Sequence, residues 1–169
     1  MATTDAHLHA AVGCDRAADV SALLVVGADP CSSFVSGDTP LHIAAACGGA
    51  TTLAALLSAH VGVDAVNAHG CAPLHIAVLR GCPVATAALL SAGADPDARV
   101  SLADATPSHG HPRRRFAARP SPCASDGLAA SLRCAPMLGT TPLHLAASGT
   151  VARVLLAYGA NANAPCAWG

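Results

Sequence analysis

The chain has no lysine, no glutamate and no glutamine: its nine basic residues are all arginine and its ten acidic residues are all aspartate. Without lysine there is no phosphate-binding P-loop, and without glutamate there is no HExxH metalloprotease helix. No G-x-S-x-G elbow occurs, so the serines, histidines and aspartates have no nucleophile-triad context. Aromatic residues make up only 2% of the 169 residues although 53% are hydrophobic. Ala, Leu and Val supply most of that apolar content. Such a mixture suits helices packed closely through small side chains, not a β-sandwich rich in Tyr, Phe, Ile and Thr. The net charge of −1 gives no general attraction to nucleic acid or to an anionic membrane. No apolar run approaches the eighteen or so residues of a membrane span, and the opening MATTDAHLHAAVG lacks the basic start and long apolar core of a secretory leader.

What remains is one domain long enough for a real core. Eight cysteines stand at positions 14, 31, 47, 71, 82, 123, 134 and 166, scattered and without the paired spacing of a disulfide framework. They are expected to be reduced, small apolar residues in a cytoplasmic or nuclear protein.

The positive signal is a repeat. TPLHIAA at 39–45 returns as APLHIAV at 72–78 and TPLHLAA at 141–147. Leu8-His9, Leu41-His42 and Leu74-His75 step by 33 residues, as do the pairs Leu23-Leu24, Leu56-Leu57 and Leu89-Leu90; Leu155-Leu156 follows two steps later. Gly27, Gly93 and Gly159 lie on the same grid and open GAD, GAD and GAN. A period of this length marks a solenoid of stacked units. Within a unit, Thr39 and Thr141 read as N-caps followed by Pro40 and Pro142 at the first helical position, where a missing N–H is no loss. Pro73 does the same after Ala72, which lacks the capping hydroxyl at a cost of roughly 1 kcal/mol. Leu41, Leu74 and Leu143 begin the buried side of a short first helix. Gly48 and Gly81 turn the chain, a second helix carries the Leu-Leu pair, and Gly27, Gly93 and Gly159 suit the left-handed residue that ends it.

GDTPLHIAAACGG, LLSAGADPDA and GTTPLHLAAS…LLAYGANANA resemble the ankyrin repeat, whose pattern includes G-x-TPLH-x-AA-x-x-G…LL-x-x-GADVNA. The resemblance covers residues 4–102 and 139–169. It implies an all-α ankyrin-repeat solenoid of helix-turn-helix units joined by β-turn or hairpin loops. The units fall at 4–36, 37–69, 70–102 and 139–169, the last one shortened by three residues between Ala147 and Val154. It also implies that His42, His75 and His144 are structural, each tying its helix start to neighbouring backbone, and that the chain is not an enzyme and needs no cofactor. In this family the variable positions beside the turn glycine and late in the first helix contact a partner protein. Here these are Phe34, Val35, Ser36, Asp38, Ala46, Cys47, Ala68, His69, Cys71, Leu79 and Arg80.

The pattern departs in three further places. Unit one has Ala6-His7 for Thr-Pro, and His60 takes the slot of the helix-ending glycine, so that end is expected to be strained or reshaped. Residues 103–138 break the grid. Prolines 112, 120 and 122 stand where helices would run, and the segment reads either as a loop with the flanking units stacked on each other or as a degenerate fourth unit. Its HPRRRF run reads as a solvated loop, and its His109, His111, Cys123 and Cys134 match no common zinc module, so no metal site is assigned. A metal-binding protein built on that set is the alternative from another functional class. Within the interaction class the alternative is the substrate-recognition piece of a ubiquitin-ligase adaptor lacking its cullin-linked box. The final APCAWG stands where another unit would begin, and self-association through an uncapped last unit is expected.

Overall fold

A computed structural model describes residues 2–33, 36–59, 61–101 and 139–165. Among these residues there are eight helices and no strand. In chain order they are α1 (Ala2–Gly13), α2 (Ala17–Val25), α3 (Pro40–Cys47), α4 (Ala50–Ser58), α5 (Pro73–Leu79), α6 (Pro83–Ser91), α7 (Pro142–Leu145) and α8 (Gly149–Ala157). None is long and apolar enough to cross a membrane.

The helices pair as hairpins and stack in two rows. The inner row runs α1, α3, α5, α7 and the outer row α2, α4, α6, α8, with each helix packed on the next in its row. Leu8, Leu41 and Leu74 from the inner row meet Leu56, Leu89 and Leu155 from the outer row, all fully buried. Each such side chain stabilises the stack by about 2 kcal/mol. Ala44, Ala45 and Ala77, also buried, let neighbouring inner helices approach closely. The alanine-rich, aromatic-poor composition has this use.

The turns follow the 33-residue grid in their backbone angles. Gly48 (φ 72°) and Gly81 (φ 67°) take the left-handed conformation between the two helices of a unit. In the first unit the same slot holds Asp15 at φ 53°. A non-glycine residue there costs roughly 1 kcal/mol. Across units, the Asp15 carboxylate accepts the Thr52 hydroxyl in the first turn of α4. Asp15 stands on the glycine grid, 33 residues before Gly48.

The three-residue shortfall of the last unit falls on its first helix. α7 has four residues where α3 has eight and α5 has seven, and Ala146 is already extended. The third unit packs directly on this last one, α5 against α7 and α6 against α8. The Val100 N–H donates to Thr140 O at 3.1 Å and the Gly139 N–H to Val100 O at 2.8 Å, while Asp97 Oδ1 accepts the Asn161 N–H at 2.9 Å. Residues 102–138, with the loop-or-repeat question they pose, lie outside the described residues, and so does His60.

Candidate functional site

The repeated histidine is the first candidate to place. His42 Nδ1 accepts the Thr39 hydroxyl at 2.8 Å and the Thr39 N–H at 3.2 Å, and its Nε2–H donates to Cys71 O at 2.9 Å. His75 accepts the Ala72 N–H at 3.1 Å and donates to Ala98 O at 2.9 Å. One side of each ring thus closes its own helix start, and the other side holds a carbonyl 29 or 23 residues further along. Both rings are fully buried. Burial lowers the pKa of His75 to about 4 against the pull of its hydrogen-bonded carbonyl, and it lowers that of His42 in the same way. His9, 33 residues before His42, is likewise buried and lowered to about 4; its Nε2 meets the Ser32 carbonyl and hydroxyl at 3.0 Å each. His42 and His75 are neutral rings with both nitrogens engaged and no solvent access, so they hold structure and have no proton to exchange with a substrate. His144 keeps the helix-closing half, accepting the Thr141 hydroxyl at 2.8 Å, but it is exposed.

The turn positions separate into two groups. Asp38 is 4% exposed and faces inward: its carboxylate accepts the Ser36 hydroxyl at 2.5 Å and the Asn67 amide at 2.8 Å. Asn67 Oδ1 in turn accepts the N–H groups of His69 and Cys71 at 3.0 and 3.1 Å. This buried chain ties the turn of the second unit to that of the third, so the Asp38 side chain is not on the surface. Asn67, its central member, was missed by the sequence analysis because an asparagine in a turn reads only as turn chemistry. Cys71 is also fully buried. It packs on Val100, beside the chain as it enters 102–138, a proximity that linear spacing does not reveal. Cys14, Cys31, Cys47 and Cys82 are free thiols.

The positions late in the first helices come together. Ala46, Cys47, Leu79 and Arg80, joined by Cys82, line a groove of about 410 Å³ between the second and third units. The Arg80 Nε–H donates to Ala46 O at 3.1 Å, and the Cys47 thiol approaches Gly13 O at 3.8 Å. Residues 47 and 80 are one period apart, and each reaches back to the preceding unit in the same way. Burial raises the Cys47 pKa, while the Arg80 charge pulls it down. The thiol is therefore a neutral wall of the groove and Arg80 its cationic feature. Cys82 escaped the sequence analysis because it follows the turn glycine and falls outside the late-helix positions. Ser36 and His69 are partly exposed on the turns. Phe34 and Val35 lie outside the described residues, as do the His109, His111, Cys123 and Cys134 set and the HPRRRF run.

Comparison with known proteins agrees with this geometry. A family model for ankyrin repeats in three copies matches residues 8–100, more than half of the chain. A single-copy ankyrin repeat model matches residues 138–167. No curated protein sequence matches the chain. The family's fold is generally a non-catalytic interaction module, consistent with histidines locked in the interior and a shallow groove between units. Repeating helix hairpins, the histidine ladder between units and these matches over both parts of the chain show that it belongs to the ankyrin repeat family.

Proposed function

We propose that this protein binds a partner protein through the groove between its second and third units, with Arg80 and Leu79 as the principal contacts. The observation that carries the reading is the convergence of Ala46, Cys47, Leu79, Arg80 and Cys82 on one concavity. An arginine beside a small apolar surface suits a partner segment that sets a carboxylate next to an aliphatic side chain. Arg80 is held at Nε by the Ala46 carbonyl, so part of the entropy of ordering its long side chain is lost before binding. Regulation of the partner by covering this segment follows from the reading, as in an inhibitor or scaffold.

The test begins with affinity capture from the native cell and continues with the purified partner. Arg80→Ala should weaken binding by about 2 kcal/mol, the threshold of an interface hot spot, with unchanged helicity, the comparison being made at equal folded concentration. Binding equal to the parent would place the partner surface elsewhere.

A further inference from the structure

The shortened first helix of the last unit leaves a gap in the inner row, and the gap lies beside the groove at Arg80. α3 has eight residues and α5 seven, but α7 has four, so close to one helical turn of about 3.6 residues is missing. The missing turn is the C-terminal one, because α7 starts from the same Thr-Pro as α3 and the chain is already extended at Ala146. α5 packs on α7 as α3 packs on α5. The last turn of α3 therefore has a turn of α5 opposite it, and the last turn of α5 has none.

Equal slots of the second and third units register this difference. Gly48 is half-buried, and a Cβ on it would meet the Cys82 Sγ of the next unit at 3.1 Å. Gly81, one period later, is exposed, and among the described residues nothing lies within 4 Å of a Cβ built on it. Gly49 is buried, whereas its counterpart Cys82 is partly exposed. Ala46 is 3% exposed, while Leu79 in the same slot keeps part of its surface in solvent. The segment 102–138 leaves and rejoins the stack at the other end of these helices. There the Ser101 N–H donates to Gly70 O and the Gly139 N–H to Val100 O, just before α5 and α7 begin.

We infer that this gap is the second half of the partner site: an extended partner segment that sets a carboxylate on Arg80 continues past Leu79 and places an aliphatic side chain where the turn of α7 is missing. It rests on the partner-binding reading and adds the direction of the segment, from the second unit towards the last. Charge decides the occupant. The groove lining carries one charge, that of Arg80, and a lone cation beside apolar surface selects an acidic and aliphatic sequence over a basic one. A full-length α7 would cover the last turn of α5 as α5 covers that of α3, so the shortfall is what gives the site its length and its preference.

A phage-displayed library of random linear peptides, panned against the immobilised parent chain, tests it. The selected sequences should carry Asp or Glu close to Leu, Ile or Val. Arg80→Ala removes the charge, and insertion of three alanines after Ala147 restores the length of α7 without altering a groove residue. Each change should weaken the selected peptides by roughly tenfold or more. Circular dichroism checks folding; if the insertion does not fold, Ala147→Trp fills the gap from an exposed position between α7 and α8. Peptides that lose Arg80→Ala but bind the filled variant like the parent overturn the inference and leave the partner-binding reading standing. Peptides that bind Arg80→Ala like the parent overturn both. Selection of basic sequences, or of none, overturns the inference. A chain with a short glycine linker in place of 102–138 should bind the peptides like the parent; tighter binding would make that segment the occupant of the gap and overturn the proposal.

Discussion

His9 and His75 are buried as neutral rings, and this gives the protein a pH response with a definite sign. Burial lowers both pKa values from 6.5 to about 4, and His42 moves in the same direction. Above pH 6.5 the folded and unfolded chains are both neutral at these rings, and the full stability is present. Between 6.5 and about 4 only the unfolded chain takes up the protons, so stability falls as pH falls, by on the order of 3 kcal/mol for each of His9 and His75. Melting temperatures should therefore be flat above pH 7 and drop steeply from 6.5 towards 4. His75→Asn should show a shallower drop than the parent, and equal slopes would contradict the assignment. Residue type and position were legible here because the histidine recurs with its neighbours. Its acceptors, Cys71 O and Ala98 O, belong to turns that the stack brings beside it.

At the scale of the element, the three Thr-Pro or Ala-Pro helix starts form a natural comparison. Thr39 and Thr141 give their hydroxyls to His42 and His144 at 2.8 Å, while Ala72 offers His75 only its backbone N–H. The backbone at Ala72 (φ −81°, ψ 162°) matches that at Thr39 (φ −84°, ψ 166°), so a threonine fits without rearrangement. Ala72→Thr should stabilise the protein by roughly 1 kcal/mol, read from the urea midpoint at unchanged slope. No gain would mean that the helix start at Pro73 is already closed by its neighbours. The hydrogen bond from Thr52 to Asp15 had no such visible pattern, because donor and acceptor are 37 residues apart and in different units.

Across the whole molecule the decisive contact joins the third unit to the last. Val100 pairs with Gly139 and Thr140 through two backbone hydrogen bonds, which sets the two ends of the intervening 102–138 segment side by side. Replacing that segment by a short glycine linker should preserve a single cooperative melt, since α5 against α7 and α6 against α8 are made without it. A chain that loses cooperativity on this deletion would show that the segment contributes to the core.

The unit, its period, the helix pair, the buried leucines and the left-handed glycines could all be read from the sequence. Each depends on chemistry within a dozen residues and is written several times over, so chance departures in one copy are corrected by the others. Tertiary structure decided which turn residues are surface and which are core. Asp38 and Cys71 sit at positions that vary between units, yet both are buried, because the turn of the next unit, 29 residues on, covers Asp38 through Asn67. It also decided that Cys47, Leu79 and Arg80 share one groove with Cys82 and that the third unit stacks on the last. Those outcomes depend on which surface comes to lie over which, a sum of packing between units that no local pattern encodes.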